Sequence, residues 1–342
     1  MKTRNRIGIA IVVLSSTAGG VSSAFAQGSL TPPGAPAPAM KTMAQVEPRT
    51  PISSAPYYIT QPGSYYLTTN ITATGHGIII QADRVTVDLM GFSLLGSRGA
   101  SSCGISLTAS SNAALHDVVV RGGTVSCFGY GLLCGNAQNC RFEGLTISSN
   151  VNVGVTLSGD SGLSGGNTIA DCTISDSNAT GIILRGQYGQ CNANTVAHCV
   201  IKGCAAEGIL LYGADGQCNA NTIYRNVIVD NGGMGIWLNG DSAAGDCHGN
   251  TVTECLISGN AGRGINLYYA NGNRIEGNHI SAQVGASTYG IKSGNSTQNI
   301  IVRNTCIGNT NNLSPSAADT YGPIVTNSGA LSGTDPWANF SR

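Results

Sequence analysis

The chain has 342 residues with 17 Lys plus Arg against 17 Asp plus Glu, so it is neutral overall, and only 10% of its residues are charged. A neutral chain with no basic cluster lacks the footprint of a nucleic-acid binder and gives no reason to expect a membrane surface as partner. Gly is high at 48 residues, and a sparsely charged, Gly-rich composition suits short strands and tight turns, with helices scarce.

Residues 1–26 read as a secretory signal peptide. Lys2, Arg4 and Arg6 form a positive end, Ile7 to Leu14 an apolar run, and Ala24-Phe25-Ala26 a small-x-small cleavage site. That run is far short of the roughly 20 apolar residues of a spanning helix, so no membrane span is expected. Cleavage removes three cations and no acids, leaving 14 − 17 = −3 on a secreted, periplasmic or cell-surface protein. Residues 27–50, with GSLTPPGAPAPAM at 28–40, read as an extended linker, and residues 51–342 as the folded domain, with a cap over 311–342. Twelve Cys in an exported chain allow disulfides. There is no C-x-x-C pair or zinc-type His/Cys spacing, so neither a metal site nor a cofactor is expected.

The domain is built on one repeated sentence. GIILRGQYGQCNANTVAHCVIKGCAAE at 181 is followed by GILLYGADGQCNANTIYRNVIVDNGGM at 208 and GIWLNGDSAAGDCHGNTVTECLISGNAGR at 235. Gly opens the apolar strand at 77, 104, 131, 154, 181, 208, 235, 264 and 290, at intervals of 27, 27, 23, 27, 27, 27, 29 and 26. Asn at 112, 139, 167, 194, 221, 250, 273 and 299 keeps the same beat. No 3.6-period stretch accompanies these markers; each copy instead holds short β-branched segments between Gly, Asn, Asp and Ser. The spacing predicts stacked coils of short parallel strands. It resembles the right-handed parallel β-helix of the pectate-lyase-like superfamily, with its loose N-x-I-x-x-N-x-x-G-I-x-L repeat, over roughly 71–310. The expected fold is all-β, a single-stranded right-handed parallel β-helix of about nine coils, capped at both ends.

Period-two alternation then assigns faces. The columns from Ile105 to Ile265 and from Leu107 to Leu267 point inward, and Gly at the strand head suits a bend too tight for a side chain. Cys172, Cys199, Asn226, Cys255, Asn278 and Asn304 read as a ladder inside the coil. Cys191, Cys218 and Cys247 stack on successive coils, and local pairs such as Cys127–Cys134 or Cys199–Cys204 are open as well. Glu143, Asp171, His198, Arg225 and Glu254 form a charged column at a turn. PISSAPYYITQPGSYYLTTNIT (51–72) is expected to cap one end, and Pro323, Pro336, Trp337 and Phe340 the other.

The outward columns carry the candidate chemistry. They place Tyr212, Trp237 and Tyr268 on neighbouring coils, with Arg185 one coil away and Asn239 between. Aromatic faces stack on sugar rings and Arg pairs with a uronate carboxylate. The following loops bring Asp160, Tyr188, Asp215, Asp241 and Asp246 to one edge, where carboxylates on adjacent coils supply the acid and base of glycoside hydrolysis. The reading is an exported carbohydrate-directed protein that binds an extracellular polysaccharide and is a candidate to cleave it, as a glycoside hydrolase or as a lyase in which a Lys, Arg or Tyr removes the proton beside a neutralised carboxylate. Asp215 and Asp241 are the candidate catalytic pair, and Arg185, Tyr212, Trp237, Asn239 and Tyr268 the candidate substrate contacts. The catalytic signatures of the resembling enzymes are missing: Gly75-His76-Gly77 stands in the first coil, Tyr289-Gly290-Ile291-Lys292 lacks an Arg, and Asn-Thr at 167, 194, 221 and 250 is never followed by Asp. A cell-surface spacer or adhesin without enzymatic activity is the competing reading.

Overall fold

The computed structural model describes residues 48–108, 113–242, 246–285, 288–326 and 335–342. The signal peptide expected at 1–26, and the linker as far as residue 47, lie outside the described residues. From Pro48 onward the chain is a parallel solenoid, and among the described residues it contains no helix. One rung shows the plan: Ile182–Arg185, Gln190–Asn192, Thr195–Ala197 and Val200–Lys202 are short strands separated by bends. Each pairs in parallel with its counterpart one rung away, and successive parallel strands joined this way wind right-handed. The strands that follow the periodic glycines form an eleven-stranded sheet. The nine Gly-headed strands lie between Tyr57–Ile59 at one end and Asn311–Ser314 at the other.

The interior follows the alternation. Ile105, Leu132, Val155, Ile182, Ile209, Ile236 and Ile265 are fully buried, as are Leu107, Cys134, Leu157, Leu184, Leu211, Leu238 and Leu267. Each large apolar side chain so placed contributes about 1.5–3 kcal/mol. Beside this column the chain passes so close to its neighbours that only Gly fits. A β-carbon on Gly181 would stand 2.5 Å from Ile201 Cγ2 and 2.7 Å from the Gly208 carbonyl oxygen.

Polar ladders run the length of the coil. Asn167, Asn194, Asn221, Asn250, Asn273 and Asn299 are buried in file. The backbone N–H and Nδ2 of each donate to Oδ1 of the next, and Asp319 Oδ1 closes the series. Asn139 does not belong to it. Cys140 takes that place, its N–H donating to Asn167 Oδ1 (2.9 Å), while Asn139 is exposed with φ 55°. The Cys172 to Asn304 ladder forms as expected and ends on Asn339, whose Oδ1 accepts from Asn304 N–H (3.0 Å). A further ladder through Asn231, Asn260 and Gln283 stands at the next corner.

The charged column needs a one-residue correction: Glu143 is in register with Ala170, so Gly144 precedes Asp171, His198, Arg225 and Glu254 at the left-handed bend. Arg225 Nε donates to Glu254 Oε2 (2.7 Å). At the C-terminal end, Asn339–Ser341 adds a strand to Thr305–Ile307. Trp337, expected as a cap anchor, is 47% exposed and stacks under the Arg303 guanidinium at 4.6 Å.

Candidate functional site

The outer side of the eleven-stranded sheet brings the predicted residues into two straight rows. One row runs Ser158, Arg185, Tyr212, Asn239, Tyr268 and Gly294, and the other Thr156, Ile183, Leu210, Trp237, Asn266 and Lys292. In-register parallel pairing puts row neighbours one strand spacing apart, about 4.8 Å. Tyr212 and Trp237 sit on adjacent strands, offset by two residues, and both are partly exposed on the outer face. Tyr268 is 36% exposed and meets the Tyr269 ring edge-on at 4.6 Å. Trp237 lies deeper than alternation implied: its Nε1 is buried and lacks a partner among the described residues.

The turns after these strands stack as closely as the strands do. Gly162, Gly189 and Gly216 N–H donate to the carbonyls of Gly159, Gly186 and Gly213, and Ser161, Tyr188 and Asp215 adopt positive φ on successive turns. A β-carbon on Gly186 would stand 1.8 Å from the Gln217 carbonyl oxygen. This spacing, read in sequence as loop length, is what projects Tyr188 and Asp215 outward, both exposed. Asp241 follows on the next rung at φ 65°, its N–H donating to Asn239 Oδ1 (2.7 Å). Asn239 is 4% exposed, so its amide positions the Asp241 turn and offers little to a ligand.

Four acids were expected along this edge beside Tyr188, and the structure divides them. Arg185 grips Asp160 through both Nε (3.1 Å) and Nη2. Asp246 turns to the next corner, accepting from Asn219 Nδ2 (2.7 Å) and contacting His248 Nδ1. Asp215 and Asp241 are in no ion pair among the described residues. Both act on the Tyr212 phenol, whose pKa is raised by burial first, then by Asp241 and Asp215, with Arg185 opposing. Tyr212 stands in its row between Arg185 and Asn239. Beside it, Thr108, Leu133, Gly135, Ser158, Asp160 and Arg185 line a cavity of about 240 Å³. Two cations join this face. Lys292, which follows Asn266 in the outward column, has its Nζ 4.6 Å from the Tyr289 ring centroid, and Arg263 Nη1 donates to Asn266 Oδ1 (2.6 Å). Arg263 stands at the bend before Gly264, outside the outward columns, and the alternation therefore did not point to it. A larger cavity of about 430 Å³ at the C-terminal end, lined by Trp337, Tyr321 and Arg274, contains none of the predicted site residues.

The fold and this face define a parallel β-helix protein of the pectate-lyase-like kind. The family model described as periplasmic copper-binding protein (NosD) matches residues 54–233 and 187–322, and the chain belongs to that family. Among curated proteins no sequence match reaches significance. Solved structures share the coil at low identity. The Dettilon tailspike protein is 15% identical with a TM-score of 0.59, over 86% of this chain and 61% of its own. The A-module of the Azotobacter vinelandii mannuronan C-5 epimerase AlgE6 is 15% identical with a TM-score of 0.57, over 86% and 83%. Pectate lyase Pel9A is 16% identical with a TM-score of 0.53, over 77% and 71%. The chain thus spans less than two thirds of the tailspike.

Copper, named in the family description, requires donors. Among the described residues no three His, Cys, Asp or Glu side chains converge as a metal cluster. The outside of the coil offers carboxylates and two separate His–Asp pairs, His198 with Asp171 and His248 with Asp246, and the sulfur donors are, apart from the half-buried Cys127, inside the coil. The described residues therefore do not form a donor set that fits the copper of the family description.

Proposed function

We propose that this protein binds an extracellular or periplasmic polysaccharide along the outer face of the eleven-stranded sheet, with the glycan chain parallel to the solenoid axis. The observation that carries this is the straight row in which Arg185, Tyr212 and Tyr268 are partly exposed, with Trp237 beside it and the buried Asn239 holding the turn between them. A sugar unit extends about as far as one rung, so successive rings meet successive side chains. The tailspike, pectate lyase and epimerase coils support the same reading by fold alone. Arg185, already held by Asp160, supplies an oriented donor at the cavity mouth. Asp215 and Asp241 are the carboxylates through which cleavage would run, since they stand in the turns after this strand face on adjacent rungs and neither is in an ion pair among the described residues.

Screening the exported protein against acidic and neutral glycans tests this. Tyr212→Ala/Trp237→Ala is expected to weaken binding by at least tenfold while leaving the melting curve nearly in place. Asp215→Ala/Asp241→Ala is expected to abolish any cleavage and to spare most of the binding. A protein that binds no glycan acts as a spacer or adhesin, and glycan binding that survives loss of both rings rejects this face as its site.

A further inference from the structure

One corner of the coil is filled by a single file of small side chains. The ladder Asn of each rung donates from Nδ2 to a backbone carbonyl at this corner of the rung before it, and Ala137, Ser164, Cys191, Cys218, Cys247 and Ala270 accept in turn. Gln190, Gln217 and Asp246, just before the cysteines, bridge in register, so Cys191, Cys218 and Cys247 stack on three consecutive rungs. All three are free thiols sealed at 0–1% exposure. Packing here does not require sulfur, since Ala137, Ser164 and Ala270 hold the same file and are as deeply buried. The surrounding hydrogen bonds do not require it either. Asn167 Nδ2 donates to the Ser164 hydroxyl (3.2 Å) as Asn194 Nδ2 does to Cys191 Sγ (3.4 Å) and Asn221 Nδ2 to Cys218 Sγ (3.4 Å).

We propose that Cys218 forms a disulfide with Cys191 or with Cys247, a covalent staple between consecutive rungs that leaves the third cysteine as a thiol. Rung neighbours about 4.8 Å apart fall within the about 4.4–6.8 Å between α-carbons that a disulfide spans. Cys191 and Cys247 are two spacings apart, about 9.6 Å, beyond the limit of about 7 Å, so each can pair only with the middle residue. The matched family is described as periplasmic, a compartment in which disulfides persist. The oxidant is a disulfide such as oxidised glutathione. One protein thiolate attacks it and releases a glutathione thiol, and the adjacent thiolate then attacks the protein sulfur of the mixed disulfide and releases the second. Two electrons and two protons thus leave with glutathione. In the closed coil burial first, then contact with both neighbours, holds the Cys218 pKa well above the ordinary range. The thiols are then protonated and out of reach of the oxidant, so the bridge forms before the corner closes. While the corner is open, attack by the third thiolate on Cys218 makes the alternative bridge and frees the former partner. Asp215 stands three residues before Cys218, so either bridge ties the Asp215 turn to a rung beside it.

The test uses the full chain, reduced in denaturant, refolded in reduced and oxidised glutathione, alkylated, and digested without reduction for mass spectrometry. The expected wild-type result is a bridge from Cys218 to Cys191 or Cys247, with the remaining member of the three alkylated. Cys191→Ser is expected to form the Cys218–Cys247 bridge, or Cys247→Ser the Cys191–Cys218 bridge. Cys218→Ser is expected to leave both outer cysteines alkylated. Its circular dichroism should match the wild type, because Ser holds the same place at position 164, and Cys218→Ala, matched to Ala137 and Ala270, repeats the test. Three alkylated thiols in the refolded wild type, a Cys218 bridge to any other cysteine, or a Cys191–Cys247 bridge in Cys218→Ser would overturn the proposal.

Discussion

Replacing Asn221 by Ala cuts the longest polar ladder at its middle. Asn221 Oδ1 accepts from Asn194 N–H (2.9 Å) and Asn194 Nδ2 (3.1 Å), and its Nδ2 donates to Cys191 O (3.0 Å) and Asn250 Oδ1 (3.0 Å). Asn194 Nδ2 keeps other acceptors and Asn250 Oδ1 keeps the Asn221 N–H, so two buried groups are left orphaned, Asn194 N–H and Cys191 C=O. At about 1–3 kcal/mol each, the change costs roughly 4 kcal/mol. A domain of about 300 residues unfolds with an entropy near 0.6 kcal/mol/K, so the melting temperature should fall by about 6 °C. Asn139→Gly, at one of the periodic Asn positions but outside the ladder and in the left-handed region that Gly tolerates (φ 55°), should shift it by less than about 1 °C. Thermal and denaturant melts of both variants decide the matter. Equal, small effects would refute the claim that the buried amides hold the rungs together.

Other outcomes follow from the same geometry. Gly181→Ala forces a methyl against Ile201 and the Gly208 carbonyl and should cost at least about 1–3 kcal/mol, whereas Gly135→Ala, with nothing within 4 Å, should be nearly silent in denaturant titrations. Burial pushes the Cys103, Cys140 and Cys255 thiols up to about 11. At pH 8 the native reduced protein should therefore react with a thiol reagent chiefly at the half-buried Cys127, and Cys127→Ser should remove that reaction. Glu276 is held below the usual carboxylate range by its hydrogen bond from Arg274 first, then by the Arg274 and Arg303 charges. A depressed carboxyl stabilises above its unfolded pKa, and the gain disappears as pH falls through the folded one. Glu276→Gln should thus lose up to about 1 kcal/mol at pH 7 and nothing at pH 2; an equal loss at both would contradict it.

Periodicity alone located the coil, the inward columns and both outward rows, because in a parallel stack every residue inherits its face from the rung before. It failed where another residue type takes a corner. Arg141 pairs with Thr168 one 27-residue beat on, so Cys140 and Gly144 hold the places of Asn167 and Asp171, and the neighbouring Asn139 and Glu143, read as column members by residue type, stand one residue out. Pairings across rungs were also hidden. Arg185 and Asp160 are 25 residues apart, and nothing local shows that the guanidinium is already engaged. Asn239 was read as a substrate contact from its outward parity, yet its short side chain folds back to the Asp241 turn. The corner cysteines were placed in loops, whereas the tight turns before them carry Cys191, Cys218 and Cys247 to the inside.

Trp237 and Trp337 are the two tryptophans, one on the proposed glycan face and one at the C-terminal cap, and their fluorescence tests the central claim most directly. In Trp337→Phe, titration with a bound glycan should shift or quench the emission, which then comes from Trp237 alone. In Trp237→Phe the remaining emission should not respond. A response that persists in Trp237→Phe and vanishes in Trp337→Phe would move binding to the cap and contradict the account.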